Sequence, residues 1–208
     1  MACTSLPKEE HLAGDDPVKL KRLASAGRET TAVRVRVVDD EDREVPAGQM
    51  GEIIVRGDLV MKGYWNKPEA TAETLRGGWL HTGDIGYLDA DGYLYITDRK
   101  KDMIICGGSN IYTREIEEVI CRHPAVFEVA VIGIPDDKWG ETVKALVVAR
   151  AGMPVTEGEI VEHCKRHLAS YKKPQSVEFL PGLPKNAYGK VLKRELRDRY
   201  WAGRPRKV

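Results

Sequence analysis

The sequence predicts an α+β protein, and three observations lead to this prediction. Residues 31–57 carry the period-two apolar pattern of half-buried strands. From residue 114 onward the order is helix–strand–strand–helix–strand–helix, which differs from the regular alternation of a parallel-sheet protein. The charge also changes sign along the chain: residues 1–100 hold 14 basic and 18 acidic side chains, and residues 101–208 hold 19 and 14. Two modules are indicated, the second of which faces an anion.

The elements of the first half follow from local patterns. Val33, Val35 and Val37 alternate with polar neighbours and predict a strand. The other expected elements, in chain order, are an acidic turn at Asp39–Asp42, a strand at Gly51–Gly57, a helix at Lys67–Arg76, and a hairpin turn at Asp89–Gly92 between strands Ile85–Leu88 and Tyr93–Thr97.

The second half has longer helical patterns. Arg114–Arg122 is expected to be a helix capped by Thr113, and Thr156 and Glu159 form a capping box that opens a helix through Leu168. The remaining predictions are strands at Val126–Ile134, Lys144–Arg150 and Val177–Leu180, and a basic closing helix with Leu192, Leu196 and Tyr200 on one face.

Composition excludes several classes of protein. A chain of 208 residues with 42% hydrophobic and 31% charged residues is neither fibrous nor disordered. No apolar run approaches the roughly 18 residues of a membrane-spanning helix. The four cysteines form no C-x-x-C pair, so we expect reduced thiols and a cytoplasmic location. His163 and His167 lie four residues apart without a third ligand, so no metal site is predicted.

Two glycine-flanked segments are candidates for ligand contact. Asp84, between Gly83 and Gly86 in WLHTGDIG, can accept hydrogen bonds from ribose hydroxyls. The alternative is a structural aspartate in a glycine turn. Residues 98–102 (DRKKD) precede Gly107 and Gly108, where backbone can approach a thin ligand. A solvated linker is the alternative for the charged run.

Two further positions carry possible chemistry. Trp139 lies in the polar turn DDKWG and flanks a ligand or covers a core edge. Lys190 follows Gly189 in a loop before the last helix, so that its ammonium can reach away from its own domain. A cation of this kind stabilises a phosphoryl transition state, and the alternative is an ordinary surface lysine.

These segments together resemble a known family. The strings GYWNKPEAT, WLHTGD, DRKKDMIICGGSNIYTREIEE, KWGE and PKNAYGK closely resemble, in this order and spacing, the adenylate-forming enzymes and specifically the acyl-CoA synthetases. The resemblance covers essentially the whole chain. It implies activation of a carboxylic acid, expected to be a fatty acid, with ATP and Mg²⁺ to an acyl-adenylate, followed by transfer of the acyl group to coenzyme A.

The resemblance also implies roles for individual residues. Asp84 would hold the ribose hydroxyls of ATP or AMP, and Arg99 would contact the same nucleotide. Lys190 matches the catalytic lysine of adenylation, and Lys101 matches the hinge at which a small domain changes pose. The implied coenzyme A contacts are Gly107, Gly108, Trp139, Tyr171 and Lys173.

The departures from the family pattern set the expected domain organisation. The sequence contains neither the STGTTGxPKG phosphate loop nor the YGxTE motif. We therefore expect residues 1–98 to be the β-rich end of a large AMP-binding domain and residues 99–208 to be the mobile C-terminal lid domain. The acyl pocket and most Mg²⁺ contacts would lie in the part that is not encoded, and the chain alone would catalyse little.

Three alternative functions remain. An adenylation domain that loads a carrier protein is one, although KDMIICGGSN fits the ligase pattern better than the VKIRGxRIE pattern of that branch. A stand-alone accessory module that acts on a partner is another. A nucleic-acid binder rests only on the basic tail, which lacks interleaved aromatic residues or a recognised motif, so no nucleic-acid partner is expected.

Overall fold

A computed structural model of the protein describes residues 3–204. The chain divides into two units, Met1–Lys100 and Lys101–Val208, and each of them combines a largely antiparallel sheet with short helices. The α+β prediction is confirmed. Among the described residues no helix is both long enough and apolar enough to cross a membrane. The assignment of the units as the end of a large domain and a mobile lid stays a prediction.

The first unit contains two antiparallel sheets and short helices. Its elements are β1 (Thr4–Ser5), α1 (Pro17–Arg22), β2 (Arg28–Glu29), β3 (Val33–Val38), β4 (Gly51–Gly57), α2 (Pro68–Thr74), β5 (Leu80–Leu88) and β6 (Leu94–Arg99). The larger sheet has four strands in the order β3-β4-β5-β6, and β1 and β2 form a separate two-stranded sheet near the start of the chain.

Strand β3 shows why the alternation of valines was sufficient to predict a strand. Its three alternating valines are buried, whereas Arg34 and Arg36 between them are exposed. The buried valines pack with Ile53 and Val55 of β4 and Leu94 of β6 into one apolar cluster. The period of two therefore reports a sheet with one covered face, and burial of that face stabilises the unit.

The second unit is built on a five-stranded sheet. Its elements are β7 (Ile104–Cys106), β8 (Ser109–Ile111), α3 (Thr113–Cys121), β9 (Val126–Asp136), β10 (Gly140–Ala149), α4 (Glu157–His167), β11 (Ser176–Phe179) and α5 (Lys193–Asp198). The central strand β10 pairs antiparallel with β9, parallel with β11, and through Gly140 with β7.

Both faces of this sheet are covered. Alternate residues of β9 and β10 point to opposite sides, because side chains in a strand alternate between the two faces. Val131 packs with Ile116 and Ile160 of α3 and α4 on one face. On the other face Ile132 packs with Leu183 and Leu196, so that α5 and the segment before it cover that side.

The helix predictions have mixed outcomes. The capping box at α4 is confirmed, since the Thr156 hydroxyl accepts the N–H of Glu159 while the Glu159 carboxylate accepts the N–H of Thr156. The prediction that Thr113 caps α3 is wrong, because the cap position is Tyr112 and Thr113 is the first helical residue. Its hydroxyl is buried and accepts a hydrogen bond from Lys193.

Several elements were not predicted, namely β1, β2, α1 and the two strands of the β7–β8 hairpin. The short hairpin β7–β8 lies in the segment that was expected to be a charged linker followed by glycines, and it adds two strands ahead of the predicted order, which α3 begins. Helix α1 begins after Asp16, whose carboxylate accepts the N–H groups of Val18 and Lys19. At the end of the chain only Lys193–Asp198 is helical, and Leu196 is its buried residue.

Candidate functional site

Asp84 lies in an irregular part of strand β5 and not in a free turn. The β4–β5 register shifts between Glu52 and Ile54, so that Thr82, Gly83 and Asp84 bulge outward opposite a single residue of β4. Gly83 adopts a φ of 70°, a left-handed conformation that glycine permits at little cost. The Asp84 carboxylate remains partly exposed as a result, and the glycine-turn alternative is replaced by a bulge.

The structure brings Asp84 together with Arg99. The two residues are direct partners in the β5–β6 register, and the Arg99 Nε lies 3.0 Å from the Asp84 Oδ1. Arg99 is the last residue of β6, and its N–H donates to the Asp98 carboxylate at 2.8 Å. A carboxylate can accept hydrogen bonds from hydroxyls and a guanidinium can donate to phosphate, so the pair offers both an acceptor and a cation.

A buried carboxylate behind the bulge was missed by sequence reasoning. Glu52 is only 6% exposed, and its Oε1 accepts the N–H of Gly83 at 3.2 Å. The other oxygen lies 3.2 Å from the Lys100 Nζ and 3.5 Å from the Nδ1 of His81, which is also buried. Glu52 therefore connects the bulge that carries Asp84 to the end of β6. A charged residue inside the apolar strand GEIIVRG was the available signal.

Lys100 is held firmly within the first unit. Its ammonium lies 3.0 Å from Asp40 as well as 3.2 Å from Glu52. Burial lowers the pKa of Lys100, but the hydrogen bonds and charges of Asp40 and Glu52 outweigh that effect and raise the pKa overall. Lys100 is thus a charged, bound residue at the end of its unit.

The residue that follows the predicted hinge is held in the second unit. Asp102 forms a 3.0 Å ion pair with Arg197 of α5, and both side chains are largely buried. Lys101 itself is exposed and lies in the single 3₁₀ turn Lys100–Asp102. The predicted hinge position is thus flanked by one residue anchored in each unit.

Gly107 and Gly108 form the two-residue turn of the β7–β8 hairpin. Both have positive φ values, 57° and 82°, as this tight type of hairpin turn requires. The Gly107 N–H donates to the Trp139 carbonyl at 2.9 Å. A Cβ on Gly107 would lie 2.8 Å from the Cε3 of the Trp139 ring, whereas a Cβ on Gly108 would meet nothing within 4 Å.

Trp139 is presented by the turn between β9 and β10. The Asp136 carboxylate accepts the N–H groups of Lys138 and Trp139 at 2.9 Å and 2.8 Å, which fixes this turn. The indole ring remains 49% exposed although one face contacts Gly107. The structure thus joins two of the predicted coenzyme A positions into one surface.

The other predicted coenzyme A positions lie elsewhere in the second unit. Tyr171 belongs to the single 3₁₀ turn Ser170–Lys172 between α4 and β11, and its side chain is exposed. Lys173 follows directly and is half-buried. Lys172 between them is bound to the Glu115 carboxylate at 2.6 Å, so this turn is attached to α3.

Lys190 is exposed at the end of a tight turn. Gly189 before it has a φ of 79°, and the bridge between Lys185 and Val191 closes the turn. The segment connects Leu183 and Leu196, both of which are buried in the same cluster. The structure therefore presents Lys190 from a backbone that is fixed on both sides.

His163 and Cys164 are placed as structural residues. His163 contacts the carbonyl of Val119 at 3.0 Å, and burial lowers its pKa. Cys164 beside it is fully buried, which raises its pKa to about 11 and makes it a poor nucleophile. All four cysteines are free. Within residues 3–204 no group of three or more His, Cys, Asp or Glu side chains could hold a metal ion.

Comparison with protein families gives two matches, and both are domains of AMP-binding enzymes. The model described as AMP-binding enzyme matches residues 2–65, and the model described as AMP-binding enzyme C-terminal domain matches residues 115–190. The solved structures that are similar in fold include o-succinylbenzoate CoA synthetase from Bacillus subtilis with its acyl-adenylate intermediate. It is 39% identical with a TM-score of 0.83, over 94% of this chain and 38% of that one.

Two of the curated relatives are ligases of fatty acids. A long-chain-fatty-acid--CoA ligase of Escherichia coli O6:H1 is 50% identical over 174 residues, which is 84% of this chain and 31% of the relative. The fatty acid--[acyl-carrier-protein] ligase ScoC of Streptomyces coeruleorubidus is 44% identical over 98% of this chain and 38% of the relative. The chain thus spans about a third of the length of these relatives, and it belongs to the adenylate-forming superfamily of AMP-binding enzymes.

Proposed function

We propose that the chain is part of an acyl-CoA synthetase, which joins a carboxylic acid, expected to be a fatty acid, to ATP and then passes the acyl group to coenzyme A. The observation that carries the proposal is the Asp84–Arg99 pair, in which an acceptor and a cation face each other at 3.0 Å beside a bulged strand. Such a pair can accept from vicinal hydroxyls and donate to phosphate at the same time.

The reaction assigns one task to each side chain. Asp84 accepts hydrogen bonds from the ribose hydroxyls, and Arg99 donates to the same nucleotide. Lys190 places its ammonium against the α-phosphate, where negative charge accumulates as the carboxylate oxygen attacks and pyrophosphate leaves. Mg²⁺ stays a predicted cofactor of the adenylation step.

The transfer step uses the second unit. Lys101 is the proposed pivot, supported by the anchoring of Lys100 in one unit and of Asp102 in the other. Gly107, Gly108 and Trp139 form the proposed surface for the pantetheine chain, with Tyr171 and Lys173 as further coenzyme A contacts. A surface of glycine backbone suits a thin ligand because glycine has no side chain that would keep the ligand away from the backbone.

A carrier-protein ligase is the second candidate. It is supported by the 44% identity to ScoC, a fatty acid--[acyl-carrier-protein] ligase, over nearly the whole chain. In that case the acyl-adenylate would react with the phosphopantetheine of a carrier domain. The cytoplasmic location and the roles of residues 1–98 and 99–208 as domain end and lid stay predictions under either candidate.

The test uses a hybrid enzyme, in which this chain replaces the matching segment of the E. coli long-chain-fatty-acid--CoA ligase. We expect fatty-acid-dependent release of pyrophosphate and formation of acyl-CoA by the hybrid. Lys190→Ala should abolish pyrophosphate release but largely spare transfer from a supplied acyl-adenylate. Lys165→Ala, which removes an exposed lysine of α4, is the matched control and should retain both steps.

Three results would contradict the proposal. Equal loss of both half-reactions in Lys190→Ala would mean that Lys190 does not act in adenylation. Transfer to a carrier protein in preference to coenzyme A would favour the second candidate. A hybrid that folds but releases no pyrophosphate would count against acid activation itself.

A further inference from the structure

The turn that presents Lys190 is organised by one side chain. The Asn186 Oδ1 accepts the N–H of Tyr188 at 3.0 Å and the N–H of Lys190 at 2.9 Å. In addition the Gly189 N–H donates to the Asn186 carbonyl, and the Asn186 N–H donates to the Lys190 carbonyl, both at 2.9 Å. Asn186 thus takes part in four hydrogen bonds of the turn, and two of them end on the backbone of Lys190.

The segment before the turn is attached to the sheet. The Lys185 ammonium donates to the Glu128 carboxylate of β9, and the backbone of Lys185 forms the antiparallel bridge with Val191. Glu128 is three-quarters buried, so the pair is screened less than a fully exposed one.

The segment after the turn is attached to α3. The Lys193 Nζ lies 2.7 Å from the Glu117 carboxylate and 2.7 Å from the hydroxyl of Thr113, which is fully buried. The same Glu117 carboxylate accepts the N–H of Val131 in β9 at 2.7 Å. Lys193 is therefore fixed to a helix and, through Glu117, to the edge of the sheet.

We propose that Asn186 is a positioning residue for Lys190, and that the Lys185–Glu128 and Lys193–Glu117 pairs hold the two ends of the turn that Asn186 organises. The inference rests on the proposed function, in which Lys190 meets the α-phosphate. A lysine has a long flexible stem, so its ammonium reaches a defined place only if its backbone is held. Small displacements of a reacting group cost large factors in rate.

The first experiment measures the turn itself in the 208-residue chain. Amide hydrogen exchange by NMR reports the two N–H groups that Asn186 binds. Asn186→Ala removes the acceptor, and we expect exchange at Tyr188 and Lys190 to become at least about tenfold faster. Asn186→Asp keeps an acceptor oxygen and should preserve protection. Unchanged exchange in Asn186→Ala would overturn the proposal whatever the enzyme activity.

The second experiment measures the chemistry in the hybrid enzyme. We expect Asn186→Ala to lower kcat for pyrophosphate release at least about tenfold, with the KM for ATP and the transfer half-reaction nearly unchanged. Asn186→Asp should restore most of the rate, which a general loss of folding would not allow. Full activity of Asn186→Ala beside an inactive Lys190→Ala would refute the positioning role and leave the proposed function standing. Full activity of Lys190→Ala would refute the role of Lys190 and with it the positioning role of Asn186, whereas a folded hybrid that releases no pyrophosphate would refute the proposed function.

The Lys185–Glu128 ion pair is tested by a charge-matched comparison. Glu128→Gln removes the partner of Lys185 and should slow adenylation several-fold while sparing transfer. Glu162→Gln makes the same change on α4, where the carboxylate pairs with Lys165 at 3.2 Å and both side chains are half exposed. It should leave both half-reactions unchanged. An equal effect of the two substitutions would overturn the role given to Glu128.

Discussion

Asp84 and Arg99 face each other across β5 and β6, with 3.0 Å between the guanidinium Nε and the carboxylate Oδ1. Their side chains are 25% and 45% exposed, respectively. A pair that is this accessible contributes less than about 1 kcal/mol to stability. The stability of the fold therefore depends little on these two charges. Substitutions at the pair can thus report on ligand binding without a large change in stability.

Arg99→Ala is expected to weaken nucleotide use without unfolding the protein. Loss of a charge-assisted hydrogen bond should raise the KM for ATP of the hybrid roughly tenfold, while the melting temperature of the chain stays close to that of the wild type. Arg34→Ala removes a more exposed arginine, which pairs with Glu29 at 2.7 Å, and is the control for a general charge effect. A large fall in melting temperature for Arg99→Ala would show that the pair is structural.

The Gly107–Gly108 turn offers a matched pair of substitutions. Both positions have positive φ, so alanine at either should cost about 1 to 2 kcal/mol of unfolding free energy. Gly107→Ala also places its Cβ 2.8 Å from the Trp139 ring and should cost about 1 to 3 kcal/mol more from overpacking. Urea unfolding measures both variants. Equal costs for the two would mean that the indole moves away freely.

The Asp102–Arg197 pair should couple more strongly than other pairs of α5. Its side chains are 15% and 11% exposed, so removing one partner leaves a buried charge and should cost about 3 kcal/mol. A double-mutant cycle with Asp102→Asn and Arg197→Met should give a coupling energy of about 1 to 3 kcal/mol.

The control for this cycle lies on the same helix. Arg194 and Asp198 are separated by 3.6 Å and are 86% and 62% exposed, so their coupling should be below about 0.5 kcal/mol. Similar coupling energies in the two cycles would show that burial does not distinguish the pairs. The result bears on the proposed pivot, because Asp102 follows Lys101 directly.

Local patterns predicted those elements whose stability is itself local. Strand β3 followed from its alternating valines, and α4 from the Thr156–Glu159 capping box, because both signals depend on residues a few positions apart. The β7–β8 hairpin has three residues in each strand and escaped the same reasoning. Its strands are too short for a period to be read.

The missed features depend on contacts distant in the sequence. Thr113 was expected to cap α3, but its hydroxyl accepts from Lys193, which is 80 residues further along the chain. Asp84 reads as a turn residue until its pairing with Arg99 is known, since the glycine beside it serves a bulge within a strand. Glu52 appears as one charge in an apolar run, and only the folded sheet shows which groups surround it. Tertiary contacts decide these cases.

Tyr200 and Glu178 should make the stability of the second unit depend on pH. The Tyr200 hydroxyl donates to the Glu178 carboxylate. Burial, and then this hydrogen bond, raise the pKa of Tyr200 to about 12, while the hydrogen bond from Tyr200 is the main cause that lowers the pKa of Glu178. Lys144 also faces the carboxylate at 3.4 Å.

The sign of the effect follows from the raised pKa of Tyr200. Its contribution to stability is complete below the ordinary tyrosine pKa of 10 and is lost as the pH rises toward about 12. Tyr200→Phe should therefore lower the unfolding free energy by about 1 to 2 kcal/mol near neutral pH, and this difference from the wild type should shrink above about pH 10. Tyr188→Phe, at a side chain that is 95% exposed, should match the wild type at every pH. Urea unfolding followed by tryptophan fluorescence checks both variants, and a difference for Tyr200→Phe that stays constant from neutral pH to pH 12 would contradict the pairing.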